Sequence, residues 1–287
     1  MSPLDDRRLA IARGRSYDLL GDLFEHGPRR LEHLGAVDAL RPHVPEACDD
    51  EALAEHHRVL SVEVLPYASA FIEADRCLGG EVSQRLGDRL AIEGDPDALW
   101  TQLRWLALLC GAEADALQDR VEVVGAQAFL GEELLPWLGA LHHALPEGLY
   151  KAGAALLIEL AEGHHSGRVE DRLQPAEDLV ANPKTGLGQI ADYLATPARC
   201  GAWLAPWRLR RVSDLPRGFG SRARLLENLL QGAARHGQVP QVLAALQAEL
   251  SGLPEGPWAE RVAHTRAQLE VVRLSPPARP EGAPPPG

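Results

Sequence analysis

Residues 94–108 read GDPDALWTQLRWLAL and combine a helix start with a helical pattern of apolar residues. Asp95, Pro96 and Asp97 suit a first turn, because carboxylates accept its free backbone N–H groups and proline fits the first helical position. This segment therefore predicts a helix over 96–118 that begins at Pro96.

The apolar residues of this helix recur at steps of four, three and four: Leu99, Leu103, Leu106 and Cys110. This spacing places them on one face, which we expect to pack in the core. Trp100 and Trp105 lie beside that face. Periodicity alone favours core packing for both tryptophans, whereas a position next to an acidic helix start also suits a binding groove.

Helical periodicity continues along the chain, and the alternating patterns typical of strands are nearly absent. We therefore expect an all-α fold, a compact multi-helix bundle. The other predicted helices lie near 6–25, 29–41, 50–60, 81–91, 121–134, 136–145, 149–163, 186–195, 197–204, 221–235, 238–251 and 255–272.

Breaks in this pattern divide the chain into four parts. Residues 1–163 form the predicted N-terminal and central bundle, which carries the candidate groove, and 185–274 form a C-terminal helical region. The polar segment 164–184 contains Gly, Pro and Asn and predicts a loop or hinge. The Pro-rich segment 275–287 has too little apolar surface to pack, so we expect it to be disordered.

Charge and hydropathy exclude several classes of protein. The chain has 287 residues and a formal net charge of −12, with four widely separated cysteines. This charge disfavours binding to nucleic acid and favours a cationic partner. No segment approaches the ~20 apolar residues of a membrane span, and the N-terminus lacks the apolar stretch of an export signal. We expect a cytoplasmic protein without stable membrane insertion.

Histidine occurs in three adjacent pairs: His56-His57, His142-His143 and His164-His165. Adjacent side chains on a helix point about 100° apart, whereas chelation from one helix needs a spacing of three or four residues. We therefore interpret these residues as surface or packing histidines and expect no metal site.

The sequence contains no Gly-x-Ser-x-Gly turn, no P-loop and no His-Glu-x-x-His helix. Because these motifs carry common catalytic and phosphate-binding chemistry, we expect no enzymatic activity and no cofactor. One alternative is a helical enzyme that binds a metal or cofactor through its histidines. Another is a helical interaction scaffold without a redox client.

The best candidate site combines aromatic and acidic residues. A groove with apolar walls and Asp95 and Asp97 at its rim would suit a peptide with one cationic and one apolar end. The candidate peptide-binding residues are Leu65, Tyr67, Phe71, Asp95, Asp97, Trp100, Gln102 and Trp105.

The same segments carry a family resemblance. The motifs are Pro66-Tyr67-Ala68-Ser69, Gly79-Gly80 and Asp95-Pro96-Asp97-Ala98. Their order and spacing, with RGRSYDLLGDLF before them and LGQIADYLATPARCGAWLAPWRLRRV after them, resemble the TorD/DmsD family of redox-enzyme maturation chaperones. The resemblance covers roughly residues 10–235. Family members usually carry Glu and His where this chain has Ala68 and Ala98.

The resemblance implies a TorD-like, all-helical cytoplasmic chaperone, either a monomer or a domain-swapped dimer. Its partners would be the twin-arginine signal peptide and the apo form of a molybdopterin oxidoreductase catalytic subunit. It would assist cofactor insertion and delay export of that subunit. In this reading Asp95 and Asp97 meet the arginines, and Trp100 and Trp105 take the apolar part of the peptide.

Overall fold

The computed structural model describes residues 3–74, 79–91, 94–119, 125–165, 178–179, 185–205, 208–209, 212–214, 221–250 and 257–274. Its regular elements are helical, and the β-type pairing within these residues is one isolated antiparallel bridge between Tyr67 and Ala98. The all-α prediction is therefore confirmed. Among the described helices, none has the length and hydropathy that a bilayer span requires.

The chain divides into two compact units. Unit 1 comprises Met1–Ala70 and Leu78–Leu173, and unit 2 comprises Phe71–Cys77 and Gln174–Gly287. Most of the predicted loop 164–184, and all of the predicted disordered tail 275–287, lie outside the described residues.

The helices that begin in unit 1 are α1 (Pro3–His26), α2 (Leu31–Gly35), α3 (Asp50–His57), α4 (Ala68–Ile72), α5 (Glu81–Leu90), α6 (Leu99–Asp119), α7 (Gly125–Phe129), α8 (Leu135–Ala144) and α9 (Leu149–His164). A 3₁₀ turn covers Arg41–His43, and π-helical turns cover Arg58–Glu63 and Leu130–Leu134. The helices of unit 2 are α10 (Leu187–Ala195), α11 (Pro197–Cys200), α12 (Arg222–Arg235), α13 (Val239–Glu249) and α14 (Pro257–Leu274).

Unit 1 is built around the pairing of α1 with α6. The predicted apolar face of α6 is confirmed, since its four residues are fully buried: Leu99, Leu103, Leu106 and Cys110. Gly14 permits the close approach of α1, because an added Cβ would lie 3.2 Å from the Ala107 carbonyl oxygen and 3.2 Å from the Cys110 Cβ. Helix α9 packs against α1 at Gly153, where an added Cβ would lie 3.2 Å from Leu23.

Unit 2 has its own apolar core, in which α10 packs on α12 and α13 packs on α14. Helix α11 ends at Cys200, earlier than the predicted 197–204 helix, because Gly201 takes a positive φ of 82°. A Cβ at Gly201 would lie 2.6 Å from Val262 of α14. Glycine is therefore required there both for the turn and for the close contact.

Candidate functional site

Two segments that carry the family resemblance pair directly in unit 1. The Ala68 N–H donates to the Asp97 carbonyl oxygen, and the Leu99 N–H donates to the Pro66 carbonyl oxygen, both at 2.8 Å. These bonds form the bridge between Tyr67 and Ala98. Because this pairing uses the backbone up to Leu99, α6 begins at Leu99, and the predicted start at Pro96 is wrong.

Asp97 lies inside this arrangement and not at a rim. Its side chain is buried, and its carboxylate accepts hydrogen bonds from Ser69 Oγ at 2.5 Å and from Ser83 Oγ at 2.9 Å. The predicted rim position of Asp97 is therefore wrong. The physical reason is that two neighbouring hydroxyls supply the partners that a carboxylate needs in order to be buried.

Gln102 and two alanines are buried next to the Tyr67–Ala98 bridge. Gln102 is fully buried, and its Nε2 donates to the Asp97 carbonyl oxygen at 3.0 Å. Ala68 and Ala98, the two departures from the family pattern, are also fully buried. A side chain without polar atoms leaves no unpaired polar group at either position.

Tyr67, Trp100 and Asp95 form the accessible part of the site. The Tyr67 and Trp100 rings are both half-buried and meet edge to face, with centroids 5.3 Å apart. Asp95 is exposed and lies close enough to Tyr67 to influence the pKa of its hydroxyl. Burial, together with the nearby charges of Asp95 and Asp97, raises the pKa of Tyr67 to about 12. An aromatic pair therefore lies directly beside an exposed carboxylate.

The other three predicted residues are less closely grouped. Leu65 and Trp105 are half-buried in unit 1. Phe71 is fully buried and belongs to unit 2, where its ring lies 4.7 Å from that of Trp203. The Arg222 guanidinium carbon lies 4.2 Å from the centre of the Trp203 ring. Phe71 is therefore buried beside Trp203, and the prediction that it lines an accessible groove is corrected.

A polar cleft of about 650 Å³ lies next to Asp95 and was not predicted. It opens between α5 and the turn that includes Gly94 and Pro96, and exposed Asp88 contributes to its wall. The other residues that line it are Gly79, Gly80, Ser83, Gln84, Gly87 and Ala91. Gly79, Gly80 and Gly94, whose φ angles are 76°, 97° and 111°, are the sequence signal that could have indicated the turns beside this cleft.

The histidine pairs differ in burial. His57 is exposed, whereas His56 is half-buried, with Nδ1 3.0 Å from Tyr150 Oη and Nε2 3.2 Å from the Glu25 carbonyl oxygen. His164 is almost fully buried, and burial, with the charges of Arg13 and His165, lowers its pKa to about 4. His164 is therefore neutral at physiological pH.

Comparison with known proteins gives no relative for this chain: no family model matches it, and neither a curated protein nor a solved structure is significantly similar to it.

Proposed function

We propose that the protein is a chaperone that binds the twin-arginine signal peptide of a molybdopterin oxidoreductase and holds the apo enzyme during cofactor insertion. The pairing of the Pro66–Ser69 and Asp95–Ala98 segments carries this proposal, because it leaves an acidic and aromatic surface accessible. The two segments are also those that resemble the TorD/DmsD family.

The charge of the surface supports a cationic ligand. Asp95 is exposed next to the Tyr67–Trp100 pair, and exposed Asp88 lines the adjoining cleft. A guanidinium can pair with a carboxylate and also stack on an aromatic ring. The net charge of −12 would also increase the rate of encounter with a cationic segment.

The structure changes the roles that we assign to individual residues. Asp95 and Asp88 are the candidates for direct contact with arginine, and Tyr67 and Trp100 are the candidates for contact with the apolar part. Asp97 and Gln102 act as positioning residues, because their polar atoms hold Ser69, Ser83 and the backbone of the bridge.

Co-purification tests the client. The chain is tagged, expressed in its own cells and isolated, and bound proteins are identified by mass spectrometry. We expect a molybdopterin oxidoreductase subunit that retains its twin-arginine leader. Asp95→Lys should reduce the recovered subunit several-fold, because it reverses the charge at the surface.

Asp115→Lys is the matched control, because Asp115 is an exposed carboxylate on α6 outside the proposed surface. It should leave recovery unchanged. The proposal is contradicted if no such subunit is recovered, or if both charge reversals reduce recovery equally.

A further inference from the structure

Three chemically distinct side chains meet in the interior of unit 1. Cys110, Glu113 and His164 each offer one ligand atom, and these atoms all lie within 4.8 Å of one another. Cys110 and His164 are buried, and Glu113 is half-buried. Thiolate, carboxylate and imidazole are the three side-chain groups that bind zinc in proteins.

The packing of the helices creates this cluster. Cys110 and Glu113 are three residues apart on α6 and therefore lie on one face of that helix. His164 is the last residue of α9, which packs against α1, as α6 does. The sequence expectation of no metal site considered spacing within one helix, whereas these residues converge from two helices.

The cluster contains two buried polar atoms without a hydrogen-bond partner among the described residues: His164 Nε2 and Glu113 Oε2. These atoms face each other at 3.4 Å. His164 is 2% exposed, so bulk solvent does not reach its ring. Unsatisfied buried groups of this kind call for an explanation, and a bound ion is one that also accounts for the nearby thiol.

Tyr17 orients the imidazole from the opposite side. Its Oη lies 3.2 Å from Nδ1 of His164. When Nδ1–H donates to this oxygen, the Nε2 lone pair faces Glu113 and Cys110. Histidines that ligate metals commonly donate their other ring N–H in this way, which fixes the ring and its tautomer.

We propose that Cys110, Glu113 and His164 bind one Zn²⁺ ion, with Tyr17 as the positioning residue for His164. A thiolate and a carboxylate together carry two negative charges, which a divalent cation neutralises in this buried setting. The sulfur and nitrogen ligands select zinc over magnesium and calcium, which prefer oxygen ligands. Water on the side of half-buried Glu113 would complete the tetrahedron.

Titration of the metal-free full chain tests the site. After removal of metals with a chelator, the protein is titrated with Zn²⁺ in competition with a chromogenic chelator, and separately with Co²⁺ as a spectroscopic probe. We expect one equivalent of Zn²⁺ to bind and to raise the melting temperature. Bound Co²⁺ should show a thiolate-to-metal charge-transfer band, which reports the Cys110 sulfur.

Three variants assign the ligands. Glu113→Gln keeps the shape of a half-buried side chain and should weaken Zn²⁺ binding at least tenfold, while circular dichroism shows a native fold. Cys110→Ala should abolish the charge-transfer band. Tyr17→Phe should weaken binding by about tenfold, the usual effect of losing the partner of a ligating histidine.

Cys200→Ala is the matched control, because Cys200 is a fully buried thiol in unit 2. It should retain both the charge-transfer band and the affinity of the parent. The proposal is overturned if the parent binds no Zn²⁺. It is equally overturned if folded Glu113→Gln and Cys110→Ala bind Zn²⁺ as tightly as the parent, since the metal would then lie elsewhere.

Discussion

The two ends of α6 use polar residues in opposite ways. At the N-terminal end, buried Asp97 has hydrogen-bond partners in Ser69 and Ser83, and the polar group left accessible is Asp95. Further along the helix, Glu113 meets His164 of α9, and each contributes a buried atom without a hydrogen-bond partner in the described structure. The Asp97 carboxylate is therefore satisfied, although Gln102 Oε1 beside it has no hydrogen-bond partner among the described residues. The second end differs because three side chains of the types that bind zinc converge there.

The largest expected effect concerns buried Asp97 at the N-terminal end of α6. Asp97→Ala should lower the free energy of unfolding by about 3 kcal/mol, because it removes a buried charged acceptor from two serine hydroxyls. Asp95→Ala, two residues away on the surface, should lower it by about 0.5 kcal/mol or less. Urea denaturation of both variants measures the difference. Equal losses would contradict the assignment of Asp97 as a buried, hydrogen-bonded residue and Asp95 as an exposed one.

A somewhat smaller effect is expected for the close packing of α1 on α6 near Cys110. Gly14→Val should cost about 2 kcal/mol of stability, because a branched side chain would meet the α6 backbone and Cys110. Gly111→Val is the matched control on α6, since nothing lies within 4 Å of an added Cβ there. We expect thermal melts to show a clear loss for the first variant and little change for the second. A neutral Gly14→Val would contradict the close approach of α1 and α6.

Local patterns predicted much of the fold but less of the site. The period of Leu99, Leu103 and Leu106 identified the buried face of α6, because helical geometry alone determines which residues share a face. The partners of Asp97 were not predictable in this way. Ser69 and Ser83 come from other parts of the chain, so only their packing could show that this carboxylate is buried.

The same limit explains the cluster near the other end of the helix. Cys110 and Glu113 have a spacing visible in the sequence, but His164 joins them through the packing of α9. The three-residue spacing of a thiol and a carboxylate was available as a signal. His164, the third residue of the cluster, lies on a different helix, so the spacing of residues along α6 could not predict it.

The smallest expected effect concerns the pKa of Tyr67, which burial and the nearby charges of Asp95 and Asp97 raise to about 12. Asp95→Asn removes one of these charges, so the pKa of Tyr67 should fall toward its ordinary value. Because ionisation is disfavoured in the folded state, the Tyr67 contribution to stability should decline as the pH rises from about 10 toward 12. NMR titration of ring-labelled tyrosine measures the pKa of Tyr67 in the parent and in Asp95→Asn. An unchanged pKa would show that the charge of Asp95 does not act on Tyr67.

The central claim, that the surface formed by Tyr67, Trp100 and Asp95 binds a twin-arginine peptide, is tested most directly by titration calorimetry. The parent should bind a twin-arginine peptide more tightly than its twin-lysine counterpart, because arginine both pairs with a carboxylate and stacks on aromatic rings. Trp100→Ala should weaken binding by about tenfold, corresponding to about 1.4 kcal/mol, while remaining folded. Asp95→Asn should weaken binding at low salt and have less effect at high salt. Unchanged affinity in both folded variants, or equal affinity for the two peptides, would contradict the account.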